Sequence, residues 1–129
     1  MSRILVVDNE PNLRLVYREV LSDGGHEVLE AESAKGTFDI LKREPIDLVV
    51  LDIKLRSESG LYVLQRIVNE FPRVPVVLCS AYVSFQNDCI SWLAESYIVK
   101  SSHPEELLNE VNKVLSKRGR IKVAPLNNF

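Results

Sequence analysis

The sequence predicts a doubly wound α/β domain, a parallel sheet with helices packed on both faces. Three observations carry this. Four short apolar runs, Ile4 to Val7, Leu48 to Leu51, Val76 to Leu78 and Tyr97 to Val99, lack the polar alternation of a strand with one wet face. Such runs belong to strands covered on both sides. Between them the apolar period changes to helical, and the joints are short and marked by Gly or Pro. Regular βα alternation calls for right-handed crossovers that lay helices on both faces of one sheet.

The first strand, Ile4 to Val7, leads into a helix with Leu13, Val16, Tyr17, Val20 and Leu21 on one face, which Gly24 and Gly25 stop. A weaker, more alternating strand follows at His26 to Glu32. Ala34, Phe38 and Leu41 mark the second helix, and Pro45 precedes the third strand. Leu61, Leu64, Ile67, Val68 and Phe71 form the third helix face, and Pro72 with Pro75 brackets the turn into the fourth strand. Phe85, Cys89, Trp92 and Leu93 fit a fourth helix. Leu107, Leu108, Val111, Val114 and Leu115 fit a fifth, opened by Pro104 and by Glu105 and Glu106, which suit its positive end. Periodicity alone does not order the five strands.

A chain of 129 residues suits one domain, here residues 1–118, with 119–129 as a C-terminal tail or linker. With 46% hydrophobic and 26% charged residues it has the composition of an ordinary globule. A net charge of −2 supplies no field for a polyanion, so direct nucleic-acid binding is not expected; Lys117, Arg118, Arg120 and Lys122 read as a solvated helix end. Cys79 and Cys89 lack metal or redox spacing and suit a reducing compartment. No run has the length of a membrane span or the form of a signal peptide, so a cytoplasmic location without membrane contact is expected.

The chemistry gathers where the strands end. Asp8, Asn9 and Glu10 follow the first strand, Asp52 the third, Ser80 the fourth and Lys100 the fifth. In open α/β sheets that edge is where ligands bind. An Asp at a strand end is equally a turn former when taken alone. Together, however, the carboxylates repel and call for a cation. Mg²⁺ fits the set: it takes oxygen ligands, keeps waters, and relies on one or two carboxylates plus phosphate oxygens, which Ser80 and Lys100 could serve.

ILVVDNEP, LVVLDIKL, Gly60, VVLCSA and YIVK, in this order and spacing, resemble the receiver domain of bacterial two-component response regulators over residues 3 to about 118. The resemblance implies a flavodoxin-like fold with strand order 2-1-3-4-5. It implies Asp52 as phosphoacceptor for a histidine kinase or phosphotransfer protein, with Ser80 and Lys100 serving the phosphoryl oxygens. Mg²⁺ would be held by Asp8, Asn9, Asp52 and the backbone carbonyl of Lys54. Ser80 and Tyr97 match the family's switch pair, though plain packing accounts for Tyr97 equally well in the sequence. Output would then run through a downstream protein target or a missing output domain. A homodimer through the fourth helix, fifth strand and fifth helix is compatible with the family. The chain would be a self-phosphorylating signalling domain, not a turnover enzyme.

Several residues depart from the family's pattern. Asn9 replaces the second of two adjacent acids, which predicts weaker Mg²⁺ binding. Lys54 can overhang the site, which predicts an altered phosphoryl lifetime. Arg56 replaces a common proline. Ser101 replaces the proline that commonly takes a cis bond after the lysine, so a trans, freer loop is expected. Leu93 stands where glycine is common. Glu10 reads as a charge at a helix start rather than a ligand, and His26 and His103 as surface histidines.

Two other functions compete. A degenerate receiver could bind partners without phosphorylation, as Asn9, Arg56 and Ser101 suggest. A haloacid-dehalogenase-like phosphatase with Asp8 as nucleophile lacks its second Asp, replaced by Glu10, and its later acidic pair, replaced by Ser101, Ser102 and His103. A flavodoxin is disfavoured because Asp8 and Glu10 would repel a bound phosphate.

Overall fold

The computed structural model describes residues 2–55, 59–80, 93–100 and 103–123, with side chains to 117. The chain runs β1 (Arg3–Val7), α1 (Pro11–Asp23), β2 (Glu27–Ala31), α2 (Ala34–Arg43), β3 (Leu48–Asp52), α3 (Gly60–Glu70), β4 (Val76–Ser80), β5 (Ser96–Val99) and α4 (Pro104–Val123). The five strands form one parallel sheet in the order β2-β1-β3-β4-β5, which is the order the resemblance implied. The fourth helix read from Phe85, Cys89 and Trp92 lies outside the described residues, as do Arg56 and Ser101.

Alternation along each strand divides the core in two. Leu5 and Val7 of β1 pack with Val49 and Leu51 of β3 under Phe38, Leu41, Val63, Leu64 and Ile67 from α2 and α3. Ile4, Val6, Leu48 and Val50 point the other way, under Tyr17 and Leu21 of α1 and Leu107 and Val111 of α4. Both faces are therefore dry, which is why β3 and β4 are apolar throughout until their last residues. The edge strand β2 alternates more, with the burial of Val28 and Ala31 interrupted by Glu27 and Glu30.

Two glycines make close approaches that a side chain would obstruct. Gly24 ends α1 against Leu108 of α4, and Gly60 opens α3 against the backbone of Asp52 and Ile53. Helix α4 runs to Val123, into the stretch read as a tail. A single Gly119 costs a helix only about 1 kcal/mol, and its neighbours Arg118, Arg120 and Lys122 are good helix formers. No helix among the described residues is long and apolar enough to cross a membrane.

Candidate functional site

Parallel strands end at one edge, so the residues closing or following them meet there. Asp52 closes β3 and Ser80 closes β4, each inside its strand rather than after it; Asp8 follows β1 and Lys100 follows β5. The Lys100 ammonium joins the set. Its Nζ lies 3.0 Å from Asp8 Oδ2 and 3.1 Å from Asp52 Oδ2, with Glu10 Oε1 at 3.5 Å. Asp8, Asp52 and Ser80 are buried.

Backbone hydrogen bonds hold each carrier in place. The Asp8 N–H donates to the Ala31 carbonyl of β2 at 3.1 Å, and Asp8 Oδ1 accepts from the Glu10 N–H at 2.9 Å. Glu10 is the N-cap of α1, with Pro11 in the first turn, where a missing N–H costs nothing. Asp52 Oδ1 accepts from the Lys54 N–H at 3.2 Å, and the Ile53 N–H reaches the Cys79 carbonyl at 3.1 Å. The Lys100 N–H donates to the Ser80 carbonyl at 2.7 Å. Arg14, on α1, sends Nη1 to the Asp8 carbonyl oxygen at 2.6 Å.

Two buried carboxylates share one ammonium, so the site carries excess negative charge. Burial raises the Asp52 pKa and Asp8 raises it further, while Lys100 and the Lys54 N–H act against both. For Lys100, burial disfavours the ammonium, but the Asp8 and Asp52 carboxylates prevail and the net direction is upward. Burial also raises the Tyr97 phenol, and hydrogen bonding with the Ser80 side chain acts against that rise.

The donor set suits a hard divalent ion: oxygen ligands only, with two carboxylates to one ammonium at the strand ends. Asp8, Asp52 and Asn9 would hold it, together with the Lys54 peptide, which is fixed beside Asp52 by its N–H bond and by the Lys54–Ser59 bridge. Among the described residues no group of three or more His, Cys, Asp or Glu side chains forms a metal cage.

Of the residues singled out in the sequence, Asp8, Asp52 and Lys100 are in direct contact, and Ser80 with Tyr97 forms the neighbouring pair. Asn9 is half-buried after Asp8, and the Lys54 side chain is exposed. Glu10 stands at the helix start as expected and also reaches toward Lys100. His26 bonds Asn112 at 2.7 Å, at the opposite end of β2 from the site. Arg14 was not singled out. Its signal was a cation one turn into α1, opposite the acidic Glu30 and Glu32 at the end of the neighbouring strand.

The family model for the response regulator receiver domain matches residues 4–112. The chain belongs to that family. This receiver is 34% identical over 118 residues to the alginate biosynthesis transcriptional regulatory protein AlgB of Pseudomonas putida, covering 90% of this chain and 26% of AlgB. It therefore spans about a quarter of that relative. The response regulator TrrA of Thermotoga maritima, solved in complex with Mg²⁺-BeF, is 38% identical with a TM-score of 0.83, covering 88% of this receiver and 98% of TrrA. TrrA has also been solved in complex with the histidine kinase ThkA; that copy is 38% identical with a TM-score of 0.82, over 89% of this receiver and 99% of TrrA. The family assignment removes the dehalogenase-like phosphatase as a reading of the Asp, Ser and Lys set.

Proposed function

We propose that this receiver accepts a phosphoryl group on Asp52 from a histidine kinase or phosphotransfer protein, and that the acyl phosphate switches a protein-interaction surface. The observation that carries this reading is the buried Asp52 carboxylate beside the Lys100 ammonium, with Asp8 on the same cation. An Asp52 oxygen attacks phosphorus as the bond from phosphorus to the donor's imidazole nitrogen breaks, and the imidazole leaves with that electron pair. Asp8, Asn9, Asp52 and the Lys54 carbonyl would hold Mg²⁺, which would supply neutralisation of the negative charge that gathers at the site. Lys100 exchanges carboxylate contacts for a phosphoryl oxygen, so the incoming charge meets an ammonium already in place. Ser80 donates its hydroxyl to another phosphoryl oxygen and gives up Tyr97, which is then free to repack.

Phosphorylation is a single self-directed transfer and not turnover of an external substrate. The TrrA–ThkA complex supports a kinase as donor, and the AlgB relatives support an output domain beyond the matched region, or a separate protein target. Homodimerisation through the fourth helix, β5 and α4 is a compatible route of output. A cytoplasmic location without direct nucleic-acid binding fits the composition and the net charge of −2.

The test is intact-mass spectrometry after incubation with Mg²⁺ and acetyl phosphate. The parent is expected to gain one phosphoryl mass and Asp52→Asn none. No gain in the parent, also with a cognate kinase, would favour a phosphorylation-independent binding module, the reading that Asn9 in place of an acid supports.

A further inference from the structure

We infer that Arg14 is a positioning residue for the cation-binding turn: by tying the Asp8 carbonyl to Glu30 of β2, it sets the affinity of the site for a divalent cation. This rests on the reading of the site given above.

Arg14 Nη1 donates to the Asp8 carbonyl oxygen at 2.6 Å, while Nε donates to Glu30 Oε1 at 3.2 Å. Glu32 Oε2 stands 4.0 Å from Nη1. The Arg14 side chain is only 16% exposed, so these bonds are made largely out of water. The carbonyl it binds belongs to the peptide joining Asp8 to Asn9. That peptide is the backbone link between the two adjacent residues read as cation ligands, so a bond to its oxygen limits how far the turn between them can move. The Asp8 N–H is already held by Ala31, and its carboxylate by the Glu10 N–H and Lys100. Arg14 closes the remaining polar group of that residue, and it does so from a helix, not from the turn itself.

The chemistry calls for arginine. Two acceptors on different elements are met by two N–H groups fixed in one plane, which a lysine ammonium on a flexible stem does not reproduce. The anchor is fixed in turn, since Arg18 Nη1 donates to Glu30 Oε2 at 2.6 Å and so occupies the second oxygen. Partners that hold a ligand-bearing group in place typically change metal affinity by 10- to 100-fold when removed. Arg18 provides an internal control, because it joins the same α1 and β2 through the same carboxylate and makes no bond to Asp8.

The experiment is calorimetric titration of the unphosphorylated protein with MgCl₂, for the parent, Arg14→Ala, Arg14→Lys and Arg18→Ala, with urea unfolding of each in the absence of Mg²⁺. Arg14→Ala is expected to weaken Mg²⁺ binding by about tenfold. Arg14→Lys should recover part of that loss, and Arg18→Ala should bind within about twofold of the parent although it too loses an ion pair. If Arg14→Ala does not fold, Arg14→Lys and Glu30→Gln carry the comparison. Parent-like affinity in the Arg14 variants overturns the inference, as does an equal loss in Arg18→Ala, which would mean that any α1–β2 tether serves. Absence of Mg²⁺ binding by the parent overturns the reading of the site itself, and this inference with it.

Discussion

Replacing Gly60 with alanine tests how the acceptor strand is held. A Cβ at that position would fall inside the van der Waals envelope of the Asp52 carbonyl oxygen, and only 2.7 Å from both Cα and the carbonyl oxygen of Ile53. The Ile53 atoms alone would have to retreat by about 0.7 Å to reach ordinary contact. They are backbone atoms, fixed by the 3.1 Å bond from Ile53 N–H to Cys79 and the 2.6 Å bond from Gly60 N–H to Ile53. Overpacking of this kind costs about 1–3 kcal/mol, and loss of the Gly60 bond about 1 more. The better helix propensity of alanine returns up to about 1 kcal/mol. A net loss of about 1–3 kcal/mol, with an m-value of about 1–3 kcal/mol per molar urea, lowers the unfolding midpoint by roughly 1 M. Gly24→Ala is the comparison, since its new Cβ meets Leu108 Cδ1 at 2.6 Å, the end of a side chain that can rotate. Its midpoint should fall far less. A Gly60→Ala midpoint within about 0.3 M of the parent, or an equal loss in Gly24→Ala, would refute the claim that α3 is seated directly on the acceptor loop.

Other perturbations follow from the electrostatics. Burial and Asp8 hold the Asp52 pKa above its ordinary 3.8, so the ionised form weakens folding once pH exceeds that range. Asp52→Asn should therefore raise the urea midpoint at pH 7, with the gain shrinking as pH falls through the raised pKa toward 3.8 and gone below 3.8, where the folded and unfolded carboxyls are both protonated. A lower midpoint at pH 7 would count against this. Burial pushes the Cys79 thiol up to about 12, leaving a thiolate fraction of about 10⁻⁴ at pH 8, so maleimide should label Cys79 in peptide maps only after denaturation. Labelling of the native protein at that residue would show that β4 opens. Asn9→Asp restores a second carboxylate to the turn and should tighten Mg²⁺ binding by about tenfold; unchanged affinity in the same titration would mean that Asn9 faces away from the ion.

The strands were legible because both sheet faces are dry. Leu48 to Leu51 could not alternate if Val49 and Leu51 were to meet α2 and α3 while Leu48 and Val50 meet α1 and α4. For the same reason the sequence does not say which residue faces which helix pair. The acidic edge was legible as far as strand ends could be found, and it carried Asp8, Asp52, Ser80 and Lys100 together. What stayed hidden depends on neighbours that sequence order does not give. Arg14 binds Asp8 and Glu30 at once only because β2 lies beside β1 in the sheet. The contact of Ser80 with Tyr97 likewise needs β4 and β5 in register, with Ser80 opposite Val99. The strand order came from the family resemblance and not from the apolar pattern. The length of α4 was missed because Gly119 reads as a stop signal when no cap geometry is visible.

The central claim is that Asp52, rather than Asp8, takes the phosphoryl group. It is tested most directly by treating the Mg²⁺- and acetyl phosphate-loaded protein with borohydride, which reduces an aspartyl phosphate to homoserine, and mapping the product by tandem mass spectrometry. Homoserine is expected at position 52 with unmodified aspartate at position 8; homoserine at position 8 would contradict the assignment of Asp52.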